Sequence, residues 1–374
     1  MTAAPITGPA RVDRSPLALA RRLRPGDIAV IDAPDLDRGT ATVLAARRPG
    51  AVVNASASLA GRLPTTGALM LLEAGIAVID QAGPTVMTVR DGARASVEGG
   101  ALAVDGREVA TGAALDVEQV RGRVQAAGED LHVHVASFTA TALDLLGSDA
   151  GVLLDGDGLP PLRIPVEGRA VVVVTPRFAG ASPALTRFAR ERRPVVIGVG
   201  EGANAARAAG LVPRIVVGNI DAVDEDLLRR AVQVVVHDPD GREAGTARAQ
   251  AMGLAHDSCE AVLASEDVAL LAAHAAGAEV VVIAGGRGEV LDYVEDRSTA
   301  GAGALLARLV AGGVVVDAAA LPAVYRPRYS AWTAWGALGL AALALALAVW
   351  GTPEGRDALT AAWEWLSATL GGAR

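Results

Sequence analysis

The chain has 374 residues, enough for two or three domains, with 51% hydrophobic residues but only 3% aromatics and 43 glycines, which points to layers packed by Ala, Val and Leu. Its formal charge of −8 argues against a nucleic-acid binder. All 34 residues of the Lys+Arg count are arginine, so P-loop, Schiff-base and kinase-type lysines are excluded, and the single Cys259 excludes an internal disulfide or a multi-cysteine zinc site.

In chain order, residues 1–24 are polar and rich in Pro and Arg. They read as a flexible lead with a short helix over Pro16 to Leu23, and they lack the apolar core of a secretory signal. From Asp27 the pattern is strand, helix (Arg38 to Arg47), strand (Ala51 to Asn54), helix (Thr66 to Glu73) and strand (Ile76 to Ile79). This βαβαβ rhythm predicts a small parallel sheet in an N-terminal α/β domain over 25–112. Alternating segments at Thr85 to Arg90, Ala95 to Val97 and Ala101 to Val104 read as β-hairpins. By analogy the domain resembles the swivelling β/β/α domains of phosphoenolpyruvate-utilising enzymes. Ser56, Ser58, Arg62, Thr65 and Thr66 are expected to line one of its loops.

Residues 113–168 read as a connector, with helices over Asp116 to Ala127 and Phe138 to Leu146. His132 and His134 lie in an alternating stretch and are expected to share one strand face, an exposed pair rather than a metal site. Asp155-Gly156-Asp157-Gly158 has the aspartate spacing of a calcium loop but lacks its later glutamate, so it reads as a solvated turn.

A second domain, 169–322, opens with the nearly pure valine strand Ala170 to Thr175, a run suited to burial on both faces. Helix Pro183 to Glu191, with Ser182 as its cap, leads to strand Val195 to Val199. The glycine turn Gly198 to Gly202, a helix to Ala209, and the strand Ile215 to Val217 running into Gly218-Asn219-Ile220-Asp221 complete a βαβ unit. Further strands are expected at Val232 to Val236, near Ala261, and at Glu279 to Ile283 and Val314 to Asp317, with a helix at Ser265 to Ala275. The sum is a doubly wound parallel sheet whose loops converge on one crevice at the carboxyl ends of its strands. Cys259, among Asp257 and Glu260, reads as a buried structural thiol.

Ala331 to Trp350 is a run of twenty uncharged residues with Trp332, Trp335 and Trp350 at its ends, which predicts one C-terminal transmembrane helix. Arg326 and Arg328 before it place the large N-terminal part in the cytoplasm and leave 351–374 as a short extracytoplasmic tail.

The pair Gly200-Glu201-Gly202-Ala203-Asn204 and Gly218-Asn219-Ile220-Asp221-Ala222 resembles the DGGA(D/N) and GD-x-DS pair of thiamine pyrophosphokinase domains, and Gly285-Gly286-Arg287 resembles the GGR loop of that group. Over residues 10–330 and into the hydrophobic segment, the chain resembles the SteA family, membrane-anchored actinobacterial proteins assigned to the cytokinetic ring. The resemblance implies a thiamine pyrophosphokinase-like domain, a role in cell division or envelope remodelling, a membrane-protein partner and self-association.

It also implies a nucleotide or phosphate crevice at Glu201, Gly202, Asn204, Gly218, Asn219, Asp221, Asp238, Asp240, Asp267, Gly286 and Arg287, with Mg²⁺ at Asp221. The departures are a neutral Asn219 and an Ala222 where the motif has aspartate and serine, with either Glu201 or Gly200 at the first aspartate position. The expected function is therefore a membrane-anchored cytoplasmic scaffold or sensor with a degenerate crevice. The alternative is a Mg-dependent nucleotide diphospho- or phosphotransferase.

Overall fold

The computed structural model describes residues 5–60, 64–129, 131–237, 244–288, 290–294, 299–325, 331–357, 361 and 364. It is an α/β protein whose residues 1–322 form one body and 323–374 a second.

The first body holds two sheets. The N-terminal lobe runs β1 (Ile6–Val12), α1 (Pro16–Arg22), β2 (Ile28–Ile31), α2 (Arg38–Ala46), β3 (Ala51–Asn54), α3 (Gly67–Glu73) and β4 (Ala77–Asp80). A meander follows, β5 (Arg94–Glu98), β6 (Ala101–Val104) and β7 (Arg107–Thr111), and then β8 (Ala113–Ala114). The sheet is eight-stranded, in the order β7-β6-β5-β1-β2-β3-β4-β8. Strands β1 to β4 are parallel, β5 is antiparallel to β1, and β8 is antiparallel to β4.

Ile6–Val12 corrects the expectation of a flexible lead. It is the strand that joins the parallel half of the sheet to the meander, pairing Ala10 with Ile28 and Ile6 with Val97. Gly8 is needed there, because a Cβ would come within 2.3 Å of the Gly26 carbonyl oxygen. The expected hairpin strand at Thr85 to Arg90 is a 3₁₀ turn over Pro84–Thr88, with Pro84 at its start where the missing N–H costs nothing.

Two connector helices follow, α4 (Val117–Glu129) and α5 (Leu131–Ser148). The first seats Val120 against Leu59 and Ala68 of the N-terminal lobe, and the second places Leu145 in the core of the following lobe. His132 and His134 therefore lie on a helix, not on a strand. A π-helical turn over Gly151–Asp155 ends at the left-handed Gly156.

The second lobe runs β9 (Ala170–Val174), α6 (Pro183–Arg192), β10 (Val195–Val199), α7 (Gly202–Ala208), β11 (Ile215–Gly218), α8 (Glu225–Arg230) and β12 (Gln233–His237). It continues with α9 (Ala244–Ala251), β13 (Asp257–Cys259), α10 (Ser265–Ala275), β14 (Val280–Ala284), α11 (Val290–Val294), α12 (Thr299–Val310), β15 (Val315–Asp317) and α13 (Leu321–Val324). All seven strands are parallel, in the order β13-β12-β11-β10-β9-β14-β15.

Alternate residues serve opposite faces, as a two-residue period requires. Val171, Val173, Ile197, Ile215 and Val217 pack with α10 and α12 on one face, while Val216, Val234 and Val236 pack with α7, α8 and α9 on the other. The chain proceeds outward from β9 to β13 and then returns to the other side of β9. That break in order, between β9 and β14, is where a doubly wound sheet opens a crevice.

In the second body α14 (Ala331–Trp350) is a twenty-residue helix. All its described side chains but Val349 are exposed, Trp335, Leu338, Leu340, Leu343, Leu345, Leu347 and Trp350 among them. Among the described residues, no helix is long and apolar enough to cross a membrane.

Candidate functional site

The loops at the carboxyl ends of β9, β10, β11 and β14 meet the N-terminal lobe, and two cavities lie along this seam. The smaller, about 410 Å³, is lined by Val199, Gly200, Glu201, Asn219, Asp221 and Ala222, by Ser265 and Glu266 at the start of α10, and by Leu17 of α1. The larger, about 820 Å³, opens at the break between β9 and β14, with Phe178, Leu185, Ile283, Gly286 and Asp317 on one side and Asp35, Asp37, Arg38 and Thr42 on the other. Arg177 and Arg287 line both.

Glycines let the loops come this close. Gly200 is left-handed at φ 46°, and a Cβ at Gly202 would lie 2.2 Å from the Val174 carbonyl oxygen. Gly218, at φ 110°, has Ser265 2.8 Å from where its Cβ would be. Gly202 and Gly218 thus shape the crevice by close approach.

Four of the expected residues, Glu201, Asn219, Asp221 and Arg287, come together at the smaller cavity. Their partners are informative. Glu201 is ion-paired with Arg21 of α1 in the other lobe. Asn219 turns its Oδ1 back to accept the backbone N–H of Asp221 at 2.7 Å, a local Asx turn. Asn204 braces the same loop, donating to the Ala222 carbonyl at 2.8 Å and accepting from Asp224 N at 3.0 Å.

Gly286 faces only the larger cavity. Asp267 lines neither: it is buried, with its Oδ2 3.5 Å from the Cβ position of Gly303 on α12, and its neighbour Glu266 faces the crevice instead. Adjacent helical residues point about 100° apart, which accounts for the exchange. Asp238 and Asp240 lie outside the described residues, as does Arg62.

A magnesium cluster does not fit what is described. Asn219 carries no charge, Glu201 is paired with Arg21, and among the described residues no group of three His, Cys, Asp or Glu side chains is placed to hold a metal.

Several polar residues were not singled out from the sequence. His237 is fully buried at the end of β12, with Nε2 2.7 Å from the Ala261 carbonyl oxygen and Nδ1 2.8 Å from Ser265 Oγ. A carbonyl only accepts, so Nε2 carries the proton in the neutral ring and Ser265 donates to Nδ1. The bond fixes Ser265 at the mouth of the smaller cavity. Arg308 ion-pairs with Asp317 and donates to the Arg287 carbonyl at 2.5 Å, supporting the Gly285–Gly288 loop from below. Tyr293 donates to the same carbonyl at 3.3 Å, and burial, partly offset by Arg308, raises its pKa.

The N-terminal lobe has its own polar knot at the ends of β3 and β4. Asn54, Ser58, Thr65 and Asp80 are buried there, with Asn54 Nδ2 2.8 Å from Ser58 Oγ and Ser58 N donating to Asp80 at 2.8 Å. Ser58 and Thr65 are therefore structural here, and they line neither seam cavity. Cys259 is buried, and burial pushes its thiol pKa up, in keeping with an inert core thiol.

In comparisons with known proteins, no family model matches the chain, and no curated protein matches it.

Proposed function

We propose that this chain is a membrane-anchored scaffold or sensor of the SteA kind, whose seam between lobes binds a nucleotide or another phosphate-bearing ligand without turning it over. In this reading the second lobe is thiamine pyrophosphokinase-like and the first is swivelling-like. Ala331–Trp350 crosses the bilayer, with the body cytoplasmic and the tail outside. A membrane protein of the division or envelope machinery and a second copy of the chain are its expected partners.

One observation carries the choice of binding over transfer. The positions that a diphosphate transferase would commit to magnesium are occupied with holding the fold, Glu201 on Arg21 and Asn219 on the Asp221 amide, while the cavity beside them stays open. The anchor rests on the sequence, twenty uncharged residues over Ala331–Trp350, and on the apolar side chains exposed between Trp335 and Trp350; the described residues alone do not make a helix long and apolar enough for a bilayer.

The test is calorimetric titration of the full-length protein in detergent with ATP, GTP and thiamine, with and without Mg²⁺. Nucleotide binding that is weakened in Asp221→Ala and leaves the nucleotide intact supports the reading. Steady release of AMP or phosphate would shift the assignment to a Mg-dependent nucleotide diphospho- or phosphotransferase. No binding at millimolar ligand would reduce the seam to architecture.

A further inference from the structure

Arg177 follows β9 on the loop that meets the N-terminal lobe, and its guanidinium stands between the two cavities. The side chain is 24% exposed. Its nearest carboxylates are Asp37 of α2's amino end, 3.9 Å from Nε, and Glu266 of α10, 3.9 Å from Nη1. Neither distance is a hydrogen bond. Both acids are engaged elsewhere. Asp37 accepts from Thr40 N at 2.9 Å and from Thr40 Oγ1 at 2.6 Å, and Glu266 is bonded to Arg287.

Among the described residues the guanidinium makes no hydrogen bond, although the Arg177 backbone N–H is held by Thr175 Oγ1 at 3.2 Å. At 24% exposure the guanidinium is half-buried and its nitrogens stay open to the cavities, so its donors remain available for a hydrogen-bonding partner. An anion entering between the lobes would supply one, in the fork geometry that guanidinium offers to phosphate. The rest of the larger cavity suits the remainder of a nucleotide. Phe178, Leu185 and Ile283 form an apolar wall for a ring, and Asp35 and Asp317 are acceptors for hydroxyl or amino groups.

We propose that Arg177 is the anion anchor of a composite site that takes a nucleoside diphosphate between the lobes, so that binding clamps the amino end of α2 onto the loop after β9. This rests on the phosphate-binding reading of the seam and adds to it the N-terminal lobe as half of the site. Close packing favours such coupling, since a Cβ at Gly39 of α2 would lie 2.7 Å from Arg177 Cδ.

The experiment is titration of the full-length protein in detergent with ADP, comparing wild type, Arg177→Gln, Asp37→Asn and Asp221→Ala, together with hydrogen exchange of the wild type with and without ADP. Circular dichroism first confirms that each variant is folded. The expected result is at least about tenfold weaker binding in R177Q, the effect of losing a charge-assisted bond. D37N should bind about threefold tighter, because asparagine keeps the helix cap while a charge that repels phosphate is removed. ADP should also slow exchange over Arg38–Ala46.

Binding in R177Q and D37N within twofold of wild type, with D221A impaired, would overturn the composite site and leave the crevice reading standing. Protection confined to the second lobe would do the same, and it needs no variant. No ADP binding to wild type would remove both.

Discussion

Arg21 of α1 and Glu201 after β10 are bound to each other across the lobe boundary, at side-chain exposures of 30% and 23%. The bond ties the turn that opens the smaller cavity to the first helix of the chain. A partly exposed pair of this sort contributes modestly, so a double-mutant cycle of Arg21→Ala and Glu201→Ala should give a coupling of about 0.5–1 kcal/mol in urea unfolding. Strict additivity would mean that Glu201 serves something other than Arg21.

Asn219 caps the Asp221 amide, and aspartate would do the same. Asn219→Asp combined with Ala222→Ser should therefore shift unfolding free energy by less than about 0.5 kcal/mol, whereas Asn219→Ala should cost about 1 kcal/mol. Thermal melts check both. If ATP turnover appears in the double variant and is absent from wild type, the native chain is a binder on a transferase frame.

Gly202→Ala places a methyl group against the Val174 carbonyl, a backbone atom that cannot yield. The expected loss exceeds about 3 kcal/mol, beyond ordinary overpacking. Gly210→Ala is the control: at φ 77° with open space around it, only backbone strain of about 1 kcal/mol is expected. Urea midpoints should separate the two variants clearly.

Cys259 has its thiol pKa raised by burial, with a smaller contribution from Glu260. The unfolded chain then loses its thiol proton first as pH rises above about 8.5. Folding stability should fall from that pH upward until the folded thiol also ionises, and Cys259→Ser should flatten the slope. Iodoacetamide at pH 8 should label the native protein far more slowly than the protein in urea.

Leu340→Arg together with Leu343→Arg tests the proposed anchor. Each charge at the centre of a spanning helix costs about 2.5–3.5 kcal/mol, so the pair should move the protein from the membrane pellet to the soluble fraction. Unchanged fractionation would remove α14 as the proposed anchor.

The second lobe was legible because its strands are valine runs punctuated by glycine, and buried parallel strands look like little else. The first strand was not. Gly8 and Pro9 interrupt its alternation, and the neighbours that demand it, Gly26 and Arg94, are distant in sequence. His132-Val133-His134-Val135 imitates a strand period over four residues, yet lies in a helix of eighteen. Short windows cannot separate the two.

At the candidate site, the motif brings attention to Glu201, Asn219, Asp221 and Arg287, which the fold places together on the smaller cavity. Arg177 and Glu266 were missed because a lone Arg after Thr-Pro, or a Glu beside Asp267, carries no spacing signal. The available clue was positional: Arg177 follows the strand at which the order of the sheet reverses.

The place of Ile6–Val12 between the two halves of its sheet has a consequence for how the protein is made. The strand is synthesised well before one of its neighbours, the segment that pairs Val97 with Ile6. The meander of β5, β6 and β7 can form from local contacts, while the parallel half must wait for closure of long loops. Until β1 inserts, each half ends in an unpaired strand edge, the surface on which nascent chains associate wrongly. Deletion of Ile6–Val12 should leave both edges open, and the variant should accumulate as aggregates.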